Sequence, residues 1–410
     1  MGSAPAGTDR PAHRDGNVLR WLGAYTSSMI GDNVYYLALS WAAVQAGTPS
    51  QAGLVMAVSA VPRALLMLGG GVVADRFGPR KVVIGSDAVR CAAVLAVAAL
   101  LFATDPGLWP LALLAVVFGT VDAVFMPAVG ALPARVTGHG QLARVQGMRG
   151  LAIRFANVVG APLGGLAVAL GGSATAFGLA GLLIAVSVPL LISVRTRELP
   201  ADDKTAERTA WRDLRDGLGY IRRHRVLAPL IAAIALGEFG FVGPLNVGLT
   251  LLTDQRGWGA AGMGWVVAGF GTGAGAAALL LTVRGHLPHA GRVAGVAILG
   301  GSVAIGALAY APSVAAAVGV ALLVGLLAGL SGALCGALLQ THADPAYLGR
   351  VTAVAGLASL GLAPLSMPVA AAAIGWWGTG PVFVASAAVC GLGGVLALCV
   401  RDLRRAELPR

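Results

Sequence analysis

Charge is scarce in this 410-residue sequence: Asp, Glu, Lys and Arg together make only 11%, against about 25% in a soluble domain. Too little polar surface is available to cover a soluble globule. Cysteine is also scarce. Cys91, Cys335, Cys390 and Cys399 all lie in apolar stretches without metal or redox spacing, so they read as small buried hydrophobes. The six histidines (His13, His139, His224, His286, His289 and His342) fall in the tail or loops, and none joins a cluster with metal-ligand spacing. The sequence contains no G-x-x-x-x-G-K-[ST] loop, so an ATP-driven machine is not expected. Strict alternation over ten residues is missing too, which argues against a lipid-facing β-barrel.

What the sequence has is apolar length. Hydrophobic residues make 57%, and 60 glycines are scattered without a period of three, which excludes both disorder and collagen. Twelve apolar stretches are long enough to cross a bilayer: 18–44, 51–73, 82–103, 108–130, 146–170, 174–194, 227–251, 259–283, 292–311, 314–338, 351–374 and 380–400. In lipid each must satisfy its own backbone hydrogen bonds, so each is expected to be a helix. The fold class expected is an all-α polytopic membrane protein of twelve helices in two similar six-helix bundles.

The net charge of +11 is explained by loops rather than by nucleic acid. One set of loops carries Arg10, Arg14, Arg20, Arg76, Arg80, Lys81, Arg135, Arg144, Arg284, Arg292, Arg350 and the tail arginines. The other carries only Asp105, Asp254 and Arg256. The positive-inside rule makes the first side cytoplasmic and puts both termini there. Residues 1–16 lack a cleavable-signal pattern, so the first apolar segment is expected to stay as an anchor. Trp21, Trp41, Trp109, Trp258, Trp376 and Trp377 fall near span ends and suit the interfacial aromatic belt. Trp265 lies deeper and is a candidate for cavity contact.

The longest polar segment, 195–225, divides six spans from six. It carries Asp202, Asp203, Lys204, Glu207 and Arg208, and Trp211, Leu214, Leu218 and Ile221 follow at helical spacing. A short amphipathic helix on the cytoplasmic interface is expected there. The organisation read from this is a tail 1–17, a bundle 18–194, a linker 195–225, a bundle 226–400 and a tail 401–410. Three pairs relate the halves at one offset of 206: Gly31-Asp32 with Gly237-Glu238, Leu142-Ala-Arg144-Val145 with Leu348-Gly-Arg350-Val351, and Pro162 with Pro368. Such duplication is common in secondary transporters, whose halves rock about a central site.

Ionisable groups within apolar spans are costly and so are candidate functional residues. Asp32 and Arg63 lie at similar depth in spans 1 and 2, and a buried Asp32–Arg63 pair is expected. Two readings of it stay open: a packing pair, or an acid that titrates or faces substrate. Glu238 in span 7 has no equally deep basic partner, and a lone carboxyl there is suited to bind and release a proton as access alternates. Glu238 and Asp32 are therefore the proton-coupling candidates. Asp87 and Arg90 share a face of span 3, and Arg90 is expected to bridge Asp87 and Asp122 as architectural glue. Arg149 and Arg154 lie near the same surface, where they snorkel or join that network. Asn33, Tyr35, Tyr36, Phe239 and Asn246 are cavity candidates, with interhelical packing as the plainer reading.

The segment Gly71-Val-Val-Ala-Asp75-Arg76-Phe-Gly78-Pro-Arg80-Lys81 resembles the cytoplasmic loop signature of the major facilitator superfamily, with Pro79 displacing the basic pair by one place. Gly160-Ala-Pro162-Leu-Gly164-Gly165 resembles that superfamily's antiporter motif, with Ala161 inserted between Gly and Pro. Ser28-x-x-Gly31-Asp32, Asp87-x-x-Arg90, Pro127-Ala128 and Leu348-Gly-Arg350-Val351 resemble its macrolide-efflux and enterobactin-exporter branch. The resemblance implies that Asp75, Arg76 and Arg80 act in a gating latch between halves, that spans 1, 4, 7 and 10 line the cavity, and that the protein exports amphipathic small molecules by proton-coupled antiport. Import or uniport of a metabolite on the same fold, and a non-transporting membrane interaction protein, are the alternatives. No enzyme activity, cofactor, metal or nucleic acid is expected. The partners expected are a small-molecule substrate, protons and the lipid of the plasma membrane, around a monomer.

Overall fold

The computed structural model describes residues 12–104, 106–137, 141–197, 210–284, 288–344 and 347–408. Asp105, His139, His286 and the charged residues of 198–209 lie outside these. The described residues form α-helices joined by short connections, with no strand among them. The helices are α1 (Gly16–Ala46), α2 (Pro49–Phe77), α3 (Pro79–Ala103), α4 (Trp109–Val136), α5 (Leu142–Ser193), α6 (Ala210–Arg223), α7 (Leu227–Gly243), α8 (Leu249–Gln255), α9 (Gly259–Arg284), α10 (Ala290–Leu308), α11 (Val314–His342), α12 (Leu348–Gly361), α13 (Ala363–Trp377), α14 (Thr379–Cys399) and α15 (Arg401–Arg404).

Local chemistry sets several boundaries. Asp15 caps α1 by accepting from the Asn17 amide at 2.8 Å. Thr48 and Gln51 form a reciprocal capping box at α2, with Pro49 in the first turn. The expected 71–81 loop is largely helix. α2 runs on through Gly71, Asp75 and Arg76 to Phe77, and Gly78 alone makes the turn into Pro79 of α3. Its φ of +83° is open to glycine at little cost.

Eight helical segments among the described residues are long and apolar enough to cross a membrane. They are α3, α4, α5 from Arg144, α7 through α8, α9 to Leu281, α10, α11 and α14. An all-α polytopic membrane protein follows from them. α1 is longer than several of these, but Ser27, Ser28, Asp32 and Asn33 interrupt its apolar run. α5 has 52 residues, or about 78 Å if straight, far beyond a hydrocarbon core of about 30 Å. It breaks at Gly171 and Gly172, the latter at φ 76°. Its first arm runs beside α1 in the same direction, Gly160 against Asn33 and Gly164 against Val34 and Leu37. Its second arm runs the opposite way, with the Leu183 carbonyl bonded to Ser27 and Leu190 against Gly23. α5 is thus a hairpin, as spans 146–170 and 174–194 require.

Two expected spans differ in detail. Span 227–251 is α7 and α8 joined by a π turn at Pro244–Gly248. There the Gly243 amide donates to Ser366 Oγ at 2.9 Å. Span 351–374 is broken at Leu362 into α12 and α13, because Pro364 lacks an amide hydrogen to continue the helical ladder. The amphipathic segment is helical as α6. Ile221 is buried and Leu218 exposed, and the Trp211 and Leu214 side chains lie outside the described residues.

Small residues bring backbones together. α4 approaches α2 where Gly119 faces the Ser59 carbonyl, and α11 approaches α9 where Gly325 faces the Phe270 carbonyl. α5 meets α9 through Gly165 against the Ala260 carbonyl and Gly264 against the Ala161 carbonyl. α2 meets α13 where Gly53 faces Met367 and Ala371. Gly119→Val forces a side chain into the Ser59 backbone, and overpacking of this kind costs about 1–3 kcal/mol. The expected outcome is a lower thermal midpoint and folded yield by fluorescence-detected gel filtration. Gly130→Ala, where an added Cβ meets nothing, leaves both unchanged.

Candidate functional site

The polar residues of α1, α3 and α4 converge on one guanidinium. Arg90 is fully buried. Its Nη1 donates to Asp32 Oδ1 and Oδ2 at 3.1 and 3.0 Å and to Asp122 Oδ1 at 3.2 Å. Its Nη2 donates to Ser28 Oγ at 3.1 Å and to Asp87 Oδ1. Ser28 and Ser187 both donate to Asp87, and Tyr36 donates to Asp122 Oδ2 at 3.0 Å. The guanidinium lies 4.0 Å from the centroid of the Phe125 ring and 5.4 Å from that of Phe118. A flat cation with five donors suits this setting, since carboxylates take its edges and aromatic faces its plane.

The expected bridge of Asp87 and Asp122 by Arg90 is present. The expected Asp32–Arg63 pair is not. Arg90 takes Asp32, and Arg63 approaches Asp122 Oδ2 instead, at 3.9 Å with its side chain 27% exposed. The reason is packing: α2 lies chiefly against α4 and α13, so Arg63 meets the acid on α4. Equal depth along two helices does not say which faces meet. Ser187 and Phe125 were not singled out from sequence. The only signal was a serine and a phenylalanine at buried positions of apolar helices.

The other candidates separate. Tyr35 is fully buried and stacks on Phe118 at 3.7 Å, so it packs inside the helices rather than lining a cavity. Asn33 donates to Asn157 on α5 at 3.2 Å, and Asn246 to the Val242 carbonyl at 2.8 Å. Phe239 borders a separate cavity with Ser366 and Trp377, away from Glu238. Glu238 is half-buried on α7, in a cavity of about 120 Å³ that also touches Gly237, Phe241, Ala297, Ala328 and Ser331. No ion-pair partner of Glu238 occurs among the described residues.

In the antiporter-like segment, Gly160 and Gly164 pack on α1 while Gly165 packs on α9, with Pro162 beside Gly264. In the loop-like segment, Arg80 donates to the Leu191 carbonyl at 3.3 Å and to the Ile192 carbonyl, capping the end of α5. Arg80 therefore clips α3 to α5 rather than to the second half of the chain. Arg76 lies over Phe77, Lys81 is exposed, and the Asp75 side chain lies outside the described residues. Arg149 stands over the Tyr25 ring, and neither it nor Arg154 joins the Arg90 network through an ion pair among the described residues. Trp21 is fully buried against Tyr25 rather than at a surface, and Trp265 is 59% exposed rather than in a cavity. Trp109, Trp376 and Trp377 are exposed as belt residues would be.

Removing Arg90 leaves its carboxylates facing one another, and breaking such a buried pair costs about 3–5 kcal/mol. Arg90→Met is expected to abolish most folded yield, Arg90→Lys to restore part of it, and Arg63→Gln to lower it least. Fluorescence-detected gel filtration of the three variants checks the order. Equal yields from all three contradict it.

Residues 21–360 match the Major Facilitator Superfamily. The enterobactin exporter EntS of Shigella boydii serotype 18 is 26% identical over 362 residues, covering 87% of this chain and 84% of the exporter. EntS of Escherichia coli O139:H28 matches to the same extent. Among solved structures, a variant of the nucleoside transporter NupG superposes with a TM-score of 0.75 at 12% identity, covering 94% of this chain and all of that one. A bacterial homologue of the lysosomal transporter Spinster gives 0.73 at 14% identity, with both chains fully covered. A D-xylose-proton symporter gives 0.71 at 14%, covering 96% and 98%. With most of its length matched, this chain belongs to the Major Facilitator Superfamily and is a membrane transporter of small molecules rather than an enzyme.

Proposed function

We propose that the protein is a proton-coupled exporter of amphipathic small molecules, of the drug, macrolide or siderophore kind, working by alternating access. The single observation that carries this is the similarity to an exporter over 87% of the chain. Twelve spans are proposed, in bundles 18–194 and 226–400, with tails 1–17 and 401–410 and linker 195–225. The eight apolar segments support this count, together with the division of α5 at Gly171–Gly172, the lengths of α1 and α2, and the α12–α13 pair. The basic loops favour both termini on the cytoplasmic side of the plasma membrane.

Coupling is assigned to Glu238. A carboxyl that lines a cavity without a counter-charge gains a proton when open to one side and yields it when open to the other. Asp32, held by Arg90, is assigned a secondary part: it is free to exchange a proton only if that ion pair opens. The Gly160–Gly165 segment serves as the sliding contact between the halves, and Arg80 as a clamp that keeps the inner ends of α3 and α5 together.

The test is uptake into inverted vesicles of a panel of dyes, antibiotics and siderophores under an imposed pH gradient. Uptake of at least one compound is expected to follow the gradient, and Glu238→Gln to reduce it by at least about tenfold while folded yield holds. Gradient-driven uptake at full rate by that variant removes Glu238 from coupling. No gradient-dependent flux of any compound removes the export reading.

A further inference from the structure

Burial repeats along the chain at the offset that relates Gly31-Asp32 to Gly237-Glu238. On α1, Trp21, Ala24, Tyr25, Val34 and Leu37 are buried, and so are Leu227, Leu230, Ile231, Gly240 and Gly243, each 206 residues on. On α4, Leu111, Ala115, Phe118, Ala128 and Leu132 have buried counterparts in Ala317, Ala321, Val324, Leu334 and Leu338 of α11, again at 206. Gly119 and Gly325 make matching backbone approaches at the same offset. α3 and α10 align one residue further: Val83, Asp87, Arg90, Val94 and Ala98 map onto Ala290, Ala294, Ala297, Gly301 and Ile305, all buried.

This register gives five members of the Arg90 cluster counterparts around Glu238. Asp32 corresponds to Glu238, Arg90 to Ala297, Asp122 to Ala328, Phe118 to Val324 and Phe125 to Ser331. All five counterparts line the Glu238 cavity. The second half thus keeps the carboxylate, drops the arginine and trims both rings to small side chains. The room is where the large groups of the first half stand. A Cβ at Gly31 meets Ile184 at 2.8 Å, while one at its counterpart Gly237 meets nothing within 4 Å.

We infer that the Glu238 cavity binds one organic cation of the guanidinium or alkylammonium class, seated against Glu238 as the Arg90 guanidinium is seated against Asp32. The volume of about 120 Å³ is near that of a pocket known to hold a benzene-sized guest. A single charged head of that size therefore fits. The apolar wall of Ile234, Phe241 and Ile298 receives the chain that carries the head. This rests on the transport reading above and narrows its substrates to compounds with a basic nitrogen.

The test uses the full chain in lipid nanodiscs, with empty nanodiscs subtracted. Octylguanidinium and octylammonium are titrated by calorimetry beside octanoate. Both cations are expected to bind and octanoate not to. Glu238→Gln is expected to weaken octylguanidinium at least about tenfold. Ala297→Arg, which supplies the cation from the chain itself, and Ser331→Phe, which restores the ring of Phe125, are expected to weaken it similarly. If these two fail to fold, Glu238→Gln still decides. Wild-type affinity in Glu238→Gln, or octanoate binding as tightly as octylguanidinium, overturns the inference. Vesicle flux of a compound without a basic nitrogen, with no cation bound, sinks the inference and leaves export standing. Cation binding without flux of any compound keeps the site and sinks export.

Discussion

The first half of the molecule is organised around one constraint: a guanidinium fully out of water must have its charge matched. Arg90 meets this through its two terminal nitrogens with Asp32, Asp87 and Asp122, drawn from three helices, while serine and tyrosine hydroxyls occupy the remaining carboxylate oxygens and its Nε has no hydrogen-bond partner among the described residues. Such an arrangement contributes less to net stability than its contacts imply, because stripping water from four ions offsets much of the attraction. It does impose register. α1, α3 and α4 can meet in only one way if no charge is to be left alone, and the second arm of α5 is fixed with them through Ser187.

Against that rigid centre stands a set of contacts with almost no side chain in them. α5 and α9 touch through Gly165, Gly264 and Gly271, and α2 and α13 through Gly53. Dispersion between close backbones holds these faces without interlocking side chains. The contrast assigns different work to the two kinds of interface. Ion networks tie α1, α3, α4 and the second arm of α5 together, and glycine faces carry the contacts of α5 with α9 and of α2 with α13.

Much of this was legible in the residues. Apolar length gave the helices, and most ends agree within a few residues. The Arg90 contact with Asp87 was legible because a three-residue spacing fixes a helix face. The partner of Asp32 was not, since lateral neighbours depend on packing that no single helix encodes. Gly78 read as part of a loop because glycine and proline are equally at home in loops and at helix junctions. The burial of Trp21 was hidden for a similar reason: a tryptophan near a span end reads as an interfacial anchor until its neighbours are known.

The turn at Gly78 has a mechanical corollary. A hinge one residue long, with proline locking its far side and Arg80 riveted to the end of α5, has no slack. The end of α2 is thus tied through a single residue to a junction at which α3 and the returning arm of α5 are already joined.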